Sequence, residues 1–226
     1  MCGRFNLTDS PLLHVLLDEL GIDIGPLPLR FNIAPTEPIL TIYQSQGENQ
    51  AMDMRWWLTP SWSNGPSQKF AMFNARSETI DSSKAYKSAF QQRRAIVPAS
   101  AFIEWQRNGN QKQAYEITPK EGVFAFAAVW EKWQGNGEVI YSCSMITTES
   151  VPEFKAIHGR QPVMLNTKAC AIWLDGNSDK AILKDLLKPR LPYPLQAQAI
   201  DNNIGNARNK SASLPLSDFE PLLIVD

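Results

Sequence analysis

The chain of 226 residues carries 22 basic against 23 acidic side chains, a formal charge of −1, with 43% hydrophobic and 20% charged residues. That balance is ordinary for a globular protein with a sizeable core, and it excludes a nucleic-acid binder held by its overall field, so any contact with DNA has to come from a local arginine cluster. No basic start leads into an N-terminal apolar run and no window holds eighteen apolar residues, so neither a signal peptide nor a membrane span is expected, and the cytoplasm is the expected compartment.

The three cysteines, Cys2, Cys143 and Cys170, lack C-x-x-C spacing, and the histidines are only His14 and His158. A reducing compartment, no structural metal and no cofactor are expected. Ser10-Pro11, then leucines at 12, 13, 16, 17 and 20 and Gly21, predict a capped helix with a glycine stop, and His14 is expected on its partly exposed surface. Four prolines between Pro26 and Pro38 frame Phe31 to Thr36 as an extended, constrained loop.

Ile39–Gln44 and Met52–Leu58 read as a hairpin around Gly47-Glu48-Asn49. Trp56, Trp57 and Trp62 follow; at least two are expected in the core, and one left exposed near a basic groove makes a stacking platform for a base. Ser63–Lys69 is a polar loop, and Ser82–Arg93 has helical character. From Ala95 the pattern turns β: strands are expected at 95–97, 101–106, 114–118, 123–130 and 139–147, with a short one at Pro162–Leu165. Helices at Asn166–Leu174 and Asp179–Leu187 and a strand at Leu195–Ile200 complete the reading. The expected fold class is α+β, one domain over residues 1–226, with a curled antiparallel sheet or barrel flanked by helices.

Chemistry concentrates in four islands. Once Met1 is removed, Cys2 presents an α-amine and a thiol on adjacent carbons, with reference pKa values of about 8 and about 8.5. Such a 1,2-aminothiol condenses with an aldehyde to an imine, and the sulfur closes the ring to a thiazolidine. Asn74, Arg76 and Glu78 lie within Phe73–Thr79; Glu104 interrupts the apolar run Phe102 to Trp105; His158 and Arg160 lie in Ile157–Pro162. A glutamate in an apolar strand is expected to have a raised pKa suited to proton transfer near neutrality, an imidazole to serve the sugar oxygen, and the Asn74 amide to hold it. Arg4, Arg76 and Arg160, one per island, suit backbone phosphates around one pocket.

In order along the chain, Met-Cys-Gly-Arg-Phe, Phe31–Thr36, Met54-Arg55-Trp56 with Leu58, Pro60 and Trp62, Asn74–Thr79, Arg93-Arg94 through Pro98 to Phe102–Trp105, and His158–Val163 resemble the SRAP (SOS response-associated peptidase) family of abasic-site-processing proteins, the likeness ending at Asn203–Asn209. The resemblance implies a protein of the DNA damage response that binds abasic sites in single-stranded DNA, notably near strand junctions. It also implies a covalent bond to the ring-opened sugar through Cys2. Asn74, Glu104 and His158 are then the supporting catalytic groups, with His158 also serving reversal of the linkage or a lyase step. Arg4, Arg76, Arg160 and Thr147 contact DNA, and Trp62 stacks. The peptidase label refers to autocatalytic removal of Met1 or a short leader. A monomer is expected, nucleoid-associated when bound to DNA. Two positions depart from the family pattern: Trp57 stands where glycine is usual, and Gln161 where methionine or arginine is common. The competing readings are an N-terminal cysteine amidohydrolase, a thiol peptidase using Cys2, His158 and Glu104, and a noncovalent single-stranded DNA-binding module.

Overall fold

In the computed structural model, which describes residues 2–67 and 69–225, helix α1 (Pro11–Glu19) forms as its sequence dictates. The Ser10 hydroxyl accepts from the Leu13 amide at 3.2 Å, Pro11 opens the first turn, and Gly21 takes φ +70° after the last. Leu13, Leu16 and Leu17 go into the core, each worth roughly 1.5–3 kcal/mol by burial. His14 stays at the surface, its Nε2 2.7 Å from Asp9. Among the described residues no helix is long and apolar enough to cross a membrane.

Five strands close into a barrel. Strands β3 (Pro38–Ser45) and β4 (Glu48–Trp56) form the expected hairpin, but its turn is Gln46-Gly47, both at positive φ, the mirror-image geometry that suits the twist of paired strands. β3 pairs β6 (Arg94–Ala99), β6 pairs β9 (Phe124–Gly135), and β9 pairs β10 (Glu138–Glu149). A parallel contact of Ser142 and Cys143 with Arg55 and Trp56 of β4 closes the ring. The C-terminal half of β10 runs on past the ring, taking β5 (Asn74–Arg76) on one edge and β11 (Arg160–Pro162) on the other. The short strand expected at Pro162–Leu165 is thus displaced toward Arg160: after Pro162 the chain crosses over, with Met164 bridging Phe126 of β9. The helix expected over Ser82–Arg93 is likewise cut to α2 (Lys87–Gln92), because the serine-rich stretch before it is spent on turns back to Thr79.

A second, antiparallel sheet packs on the barrel in the order β2 (Arg30–Ile33), β1 (Phe5–Leu7), β7 (Ala101–Asn108), β8 (Gln111–Pro119), β12 (Leu195–Ile200), β13 (Leu222–Ile224). Strand β7 is covered on both faces. Phe102 packs among Phe124, Phe126 and Phe154, whereas Ile103 and Trp105 join Ala114, Ile200 and Ile204 on the other face. Helices α3 (Thr167–Leu174) and α4 (Lys180–Leu186) start on the side chains of Asn166 and Asp179, as their spacing predicts.

Asn32 ties the C-terminal segment to this sheet. It is fully buried at φ +49°, and its Nδ2 lies 2.8–3.0 Å from the carbonyl oxygens of Ile204, Asn206 and Asn209. Its own amide donates to Asn6 Oδ1 at 2.8 Å, and Lys210 Nζ reaches its carbonyl. Asn32→Ala is expected to cost about 2–4 kcal/mol, because it orphans buried carbonyls and places a Cβ residue without a compensating amide in the left-handed region. Asn32→Gly should recover about 1 kcal/mol of this by removing the backbone strain alone. Urea denaturation of the three proteins tests both; equal midpoints for Asn32→Ala and wild type would show that the clamp contributes nothing.

Candidate active site and nucleic-acid interface

The N-terminal segment enters the site as an extension of a strand. Phe5 pairs with Phe102, and the Arg4 carbonyl accepts from the Ile103 amide at 2.9 Å, so the residues before Phe5 continue alongside β7 toward Glu104. Cys2 is fully buried and its thiol lies 3.8 Å from the Arg4 carbonyl. Burial pushes the thiol pKa well up, and the negative charge of Glu104 pushes it further. Cys2 is therefore held as a neutral thiol beside a carboxylate that can receive its proton.

Glu104 shares a face of β7 with Phe102, not the solvent face that simple alternation also permits, and it is buried. Its pKa is raised by that burial, with the positive charge of His158 pulling the other way. This agrees with the expectation from the sequence. His158 is half-buried in the loop between Phe154 and β11. Its Nδ1 lies 3.0 Å from both the amide nitrogen and the carbonyl oxygen of Arg160, so the ring is oriented in either protonation state: the nitrogen accepts from the amide when bare and donates to the carbonyl when protonated. The loop is fastened at its base by the Ser150 hydroxyl, which donates to the His158 carbonyl at 2.7 Å. Gln161, the atypical residue, is buried there. Its Oε1 accepts from the Val151 amide at 2.9 Å, and its Nε2 donates to the Arg190 carbonyl at 3.0 Å.

Asn74 arrives on β5, opposite Met145 of β10, and its Nδ2 donates to the carbonyl of Cys2 itself at 2.7 Å. Its Oδ1 is buried and has no hydrogen-bond partner among the described residues. Cys2, Asn74, Glu104 and His158 thus come together from four separate stretches of chain. The expected removal of Met1 concerns a residue outside the described range.

The arginines divide into two groups. Arg76 and Arg160 are neighbours through Thr147: Arg76 pairs with Thr147 across β5 and β10, and Arg160 Nη2 donates to the Thr147 carbonyl at 2.8 Å. Thr147 is fully buried, and its hydroxyl accepts from Arg160 Nε at 3.3 Å, so it orients the guanidinium and offers no exposed surface of its own. Arg4 instead turns back on the Gly3 carbonyl at 2.8 Å and toward Gly205 of the clamped C-terminal segment at 3.4 Å.

Asn74 and Arg76 stand in the wall of a groove of about 570 Å³ whose other walls include Trp62, Phe70, Lys84 and Tyr86. Trp56 is fully buried and Trp57 half-buried, donating through Nε1 to the Ser67 carbonyl at 2.9 Å, while Trp62 is 57% exposed. Trp62 is the most exposed of the three, and only Trp56 lies in the core, where at least two were expected. Phe70, 68% exposed, was missed by that reading. Its signal was weak: an aromatic residue in a polar loop, with Lys69 beside it. Lys84 Nζ lies 4.5 Å from the Trp62 ring centre and Lys69 Nζ 5.8 Å from that of Phe70, so both rings carry a cation. Exposed rings, a lysine and an arginine in one groove form a surface suited to unpaired bases and their phosphates. Among the described residues no cluster of His, Cys, Asp or Glu has the makeup of a metal site.

The sequence and fold have clear relatives. The chain is 33% identical to the abasic site processing protein YoaM of Bacillus subtilis over 95% of its own length and 97% of that protein's. It is 27% identical to the abasic site processing protein YedK of Escherichia coli over 95% and 98% of the two chains. A crystal structure of a protein from Bacteroides thetaiotaomicron superposes with a TM-score of 0.74 at 25% identity, covering 89% of this chain and 93% of that one. The sequence model for "SOS response associated peptidase (SRAP)" matches residues 1–207, and the chain belongs to that family.

Proposed function

We propose that this protein recognises abasic sites in single-stranded DNA and bonds covalently to the ring-opened sugar through Cys2. The observation that carries the proposal is the buried Cys2, held through its own carbonyl by Asn74, beside Glu104 and next to a groove lined by Trp62, Phe70 and Arg76. Relatives named as abasic site processing proteins support the same reading.

The chemistry follows from the groups in place. After Met1 is removed, the α-amine of Cys2 adds to the aldehyde carbon of the open sugar, and loss of water from the carbinolamine leaves an imine. The sulfur then adds to the imine carbon, forming the C–S bond, while the thiol proton ends on the ring nitrogen; the product is a thiazolidine and one water is released. A buried thiol with a raised pKa is a poor nucleophile at rest. The cationic iminium beside it favours the thiolate, and the Glu104 carboxylate is placed to accept the proton and return it. His158 serves the departing sugar oxygen, and by microscopic reversal the reopening of the ring or a strand-cleaving lyase step. Asn74 fixes the backbone of Cys2. Arg4, Arg76 and Arg160 hold phosphates, Thr147 through Arg160, and Trp62 and Phe70 stack bases on the side of the missing one. In this reading the protein acts as a monomer near strand junctions during the DNA damage response, and its peptidase activity is the exposure of its own Cys2.

The deciding experiment uses protein whose loss of Met1 has been verified by intact mass, mixed with a single-stranded oligonucleotide bearing one abasic site and run on a denaturing gel. A shifted band is expected that disappears with Cys2→Ala and with an undamaged strand. No band from verified protein would remove the covalent mechanism and turn attention to glutamine hydrolysis and noncovalent binding.

Glu104→Gln should slow crosslinking by about a hundredfold or more, since the amide neither takes nor gives a proton at these pH values. The same variant should be the more stable protein at neutral pH. Burial raises the folded-state pKa of Glu104 above its unfolded value, so its contribution to stability is present below the unfolded pKa and is lost as pH rises through the folded one. Glutamine loses no proton, and the stability of the variant relative to wild type should therefore increase as pH is raised from about 4 toward neutrality. Denaturation curves at several pH values check this; a constant difference would contradict it.

Trp62→Ala and Phe70→Ala should each weaken binding of an undamaged single strand by about 1–3 kcal/mol with little change in its salt dependence. Arg76→Ala should instead lower the slope of log affinity against log salt by about 0.7. Titrations by fluorescence anisotropy at several salt concentrations separate the two kinds of contact, and a loss of slope on removing either aromatic would misplace it.

A further inference from the structure

Arg160 already holds an anion. Its Nη1 lies 3.0 Å from Glu78 Oε1 and its Nη2 3.1 Å from Glu78 Oε2, a two-pronged pairing in which the carboxylate occupies the fork that two phosphate oxygens take. The guanidinium cannot turn away from it freely. Its Nε and Nη2 are bonded to the Thr147 hydroxyl and Nη2 also to the Thr147 carbonyl. The carboxylate is the mobile partner: Glu78 sits on the one-turn helix 77–79 that follows β5, and its side chain is 43% exposed against 18% for Arg160. The charge of Arg76, two residues away, also acts on it. Two of the three arginines assigned to phosphate therefore face an internal negative charge.

We infer that Glu78 is a resident competitor for the phosphate site at Arg160, which a DNA strand must displace and which sets the protein's discrimination against undamaged DNA. The inference rests on the DNA-binding reading above. Its physical content is an exchange. Without a ligand, the fork is satisfied and its charge compensated, so a passing strand gains little from it and releases few counterions there. A strand that is held longer, as one bearing an abasic site is by its bond to Cys2, has time and local concentration enough to replace the carboxylate. A transient encounter with an intact strand is thereby kept weak, and the covalent product is reinforced.

Glu78→Gln keeps the shape of the side chain and removes the charge. The variant should bind an undamaged single strand roughly two- to fivefold more tightly than wild type, the range of an exposed ion pair. Its slope of log affinity against log salt should steepen by about 0.7, for the one phosphate that Arg160 then neutralises with counterion release. Both effects should vanish in an Arg160→Gln background, and thermal melting of each variant establishes that it is folded. If Glu78 only props Arg160 in position, Glu78→Gln binds more weakly or with an unchanged slope, and the inference is overturned while wild-type binding that depends on Arg160 leaves the DNA-binding reading standing. If Arg160→Gln binds the strand as wild type does, that part of the reading fails and the inference with it.

Discussion

The full burial of Cys2 in the N-terminal segment is the constraint on which the rest of this structure depends. Cys2 has no exposed surface, and a terminus left to itself frays into water. Here it is held by being an extension of strand β1: the Arg4 carbonyl is bonded to Ile103, Phe5 is paired with Phe102, and Asn74 grips the Cys2 carbonyl from another sheet. The clamp of Asn32 on residues 204–209 then brings Gly205 against Arg4, so the C-terminal segment backs the N-terminal one. Few residues at either end of this arrangement are free to move without disturbing the sulfur.

Burial has an electrostatic consequence that shapes the chemistry. The desolvation that pushes up the thiol of Cys2 also pushes up the carboxyl of Glu104, and the two face each other. The thiol does not ionise easily at rest, which protects it from casual oxidation and alkylation, since the thiolate is the reactive form. Charge is also compensated at Arg160, where the Glu78 carboxylate occupies the guanidinium fork in a protein of net charge −1.

Much of the candidate site was legible in the sequence because its members are chemically conspicuous: a cysteine next to Met1, a glutamate in an apolar run, a histidine outside the first helix. Their ordered motifs also resembled one family, to which the chain belongs. Helices were legible at their starts, where Ser10, Asn166 and Asp179 each supply a local hydrogen bond. The long strands of the barrel were legible for the same local reason, their runs of apolar residues. Strand β5 was not, because three residues carry no periodicity and its pairing partner, β10, lies some seventy positions away.

By itself, then, the sequence determined which groups are present, where the three side-chain-capped helices begin, and where the long strands run, since those depend on side-chain chemistry and on contacts a few residues apart. Only the tertiary structure decided which way each group faces. Alternation on β7 allowed Glu104 either face, and it is the packing of Phe102 among three phenylalanines that turns it inward. Three tryptophans looked alike until the barrel buried Trp56, the loop half-covered Trp57 and Trp62 was left to solvent beside Phe70. Glu78 and Arg160 are 82 residues apart, and only the pairing of β5 and β11 with the same strand brings carboxylate and guanidinium together. Burial and charge pairing are sums over neighbours, and neighbours distant in sequence exist only once the chain has folded.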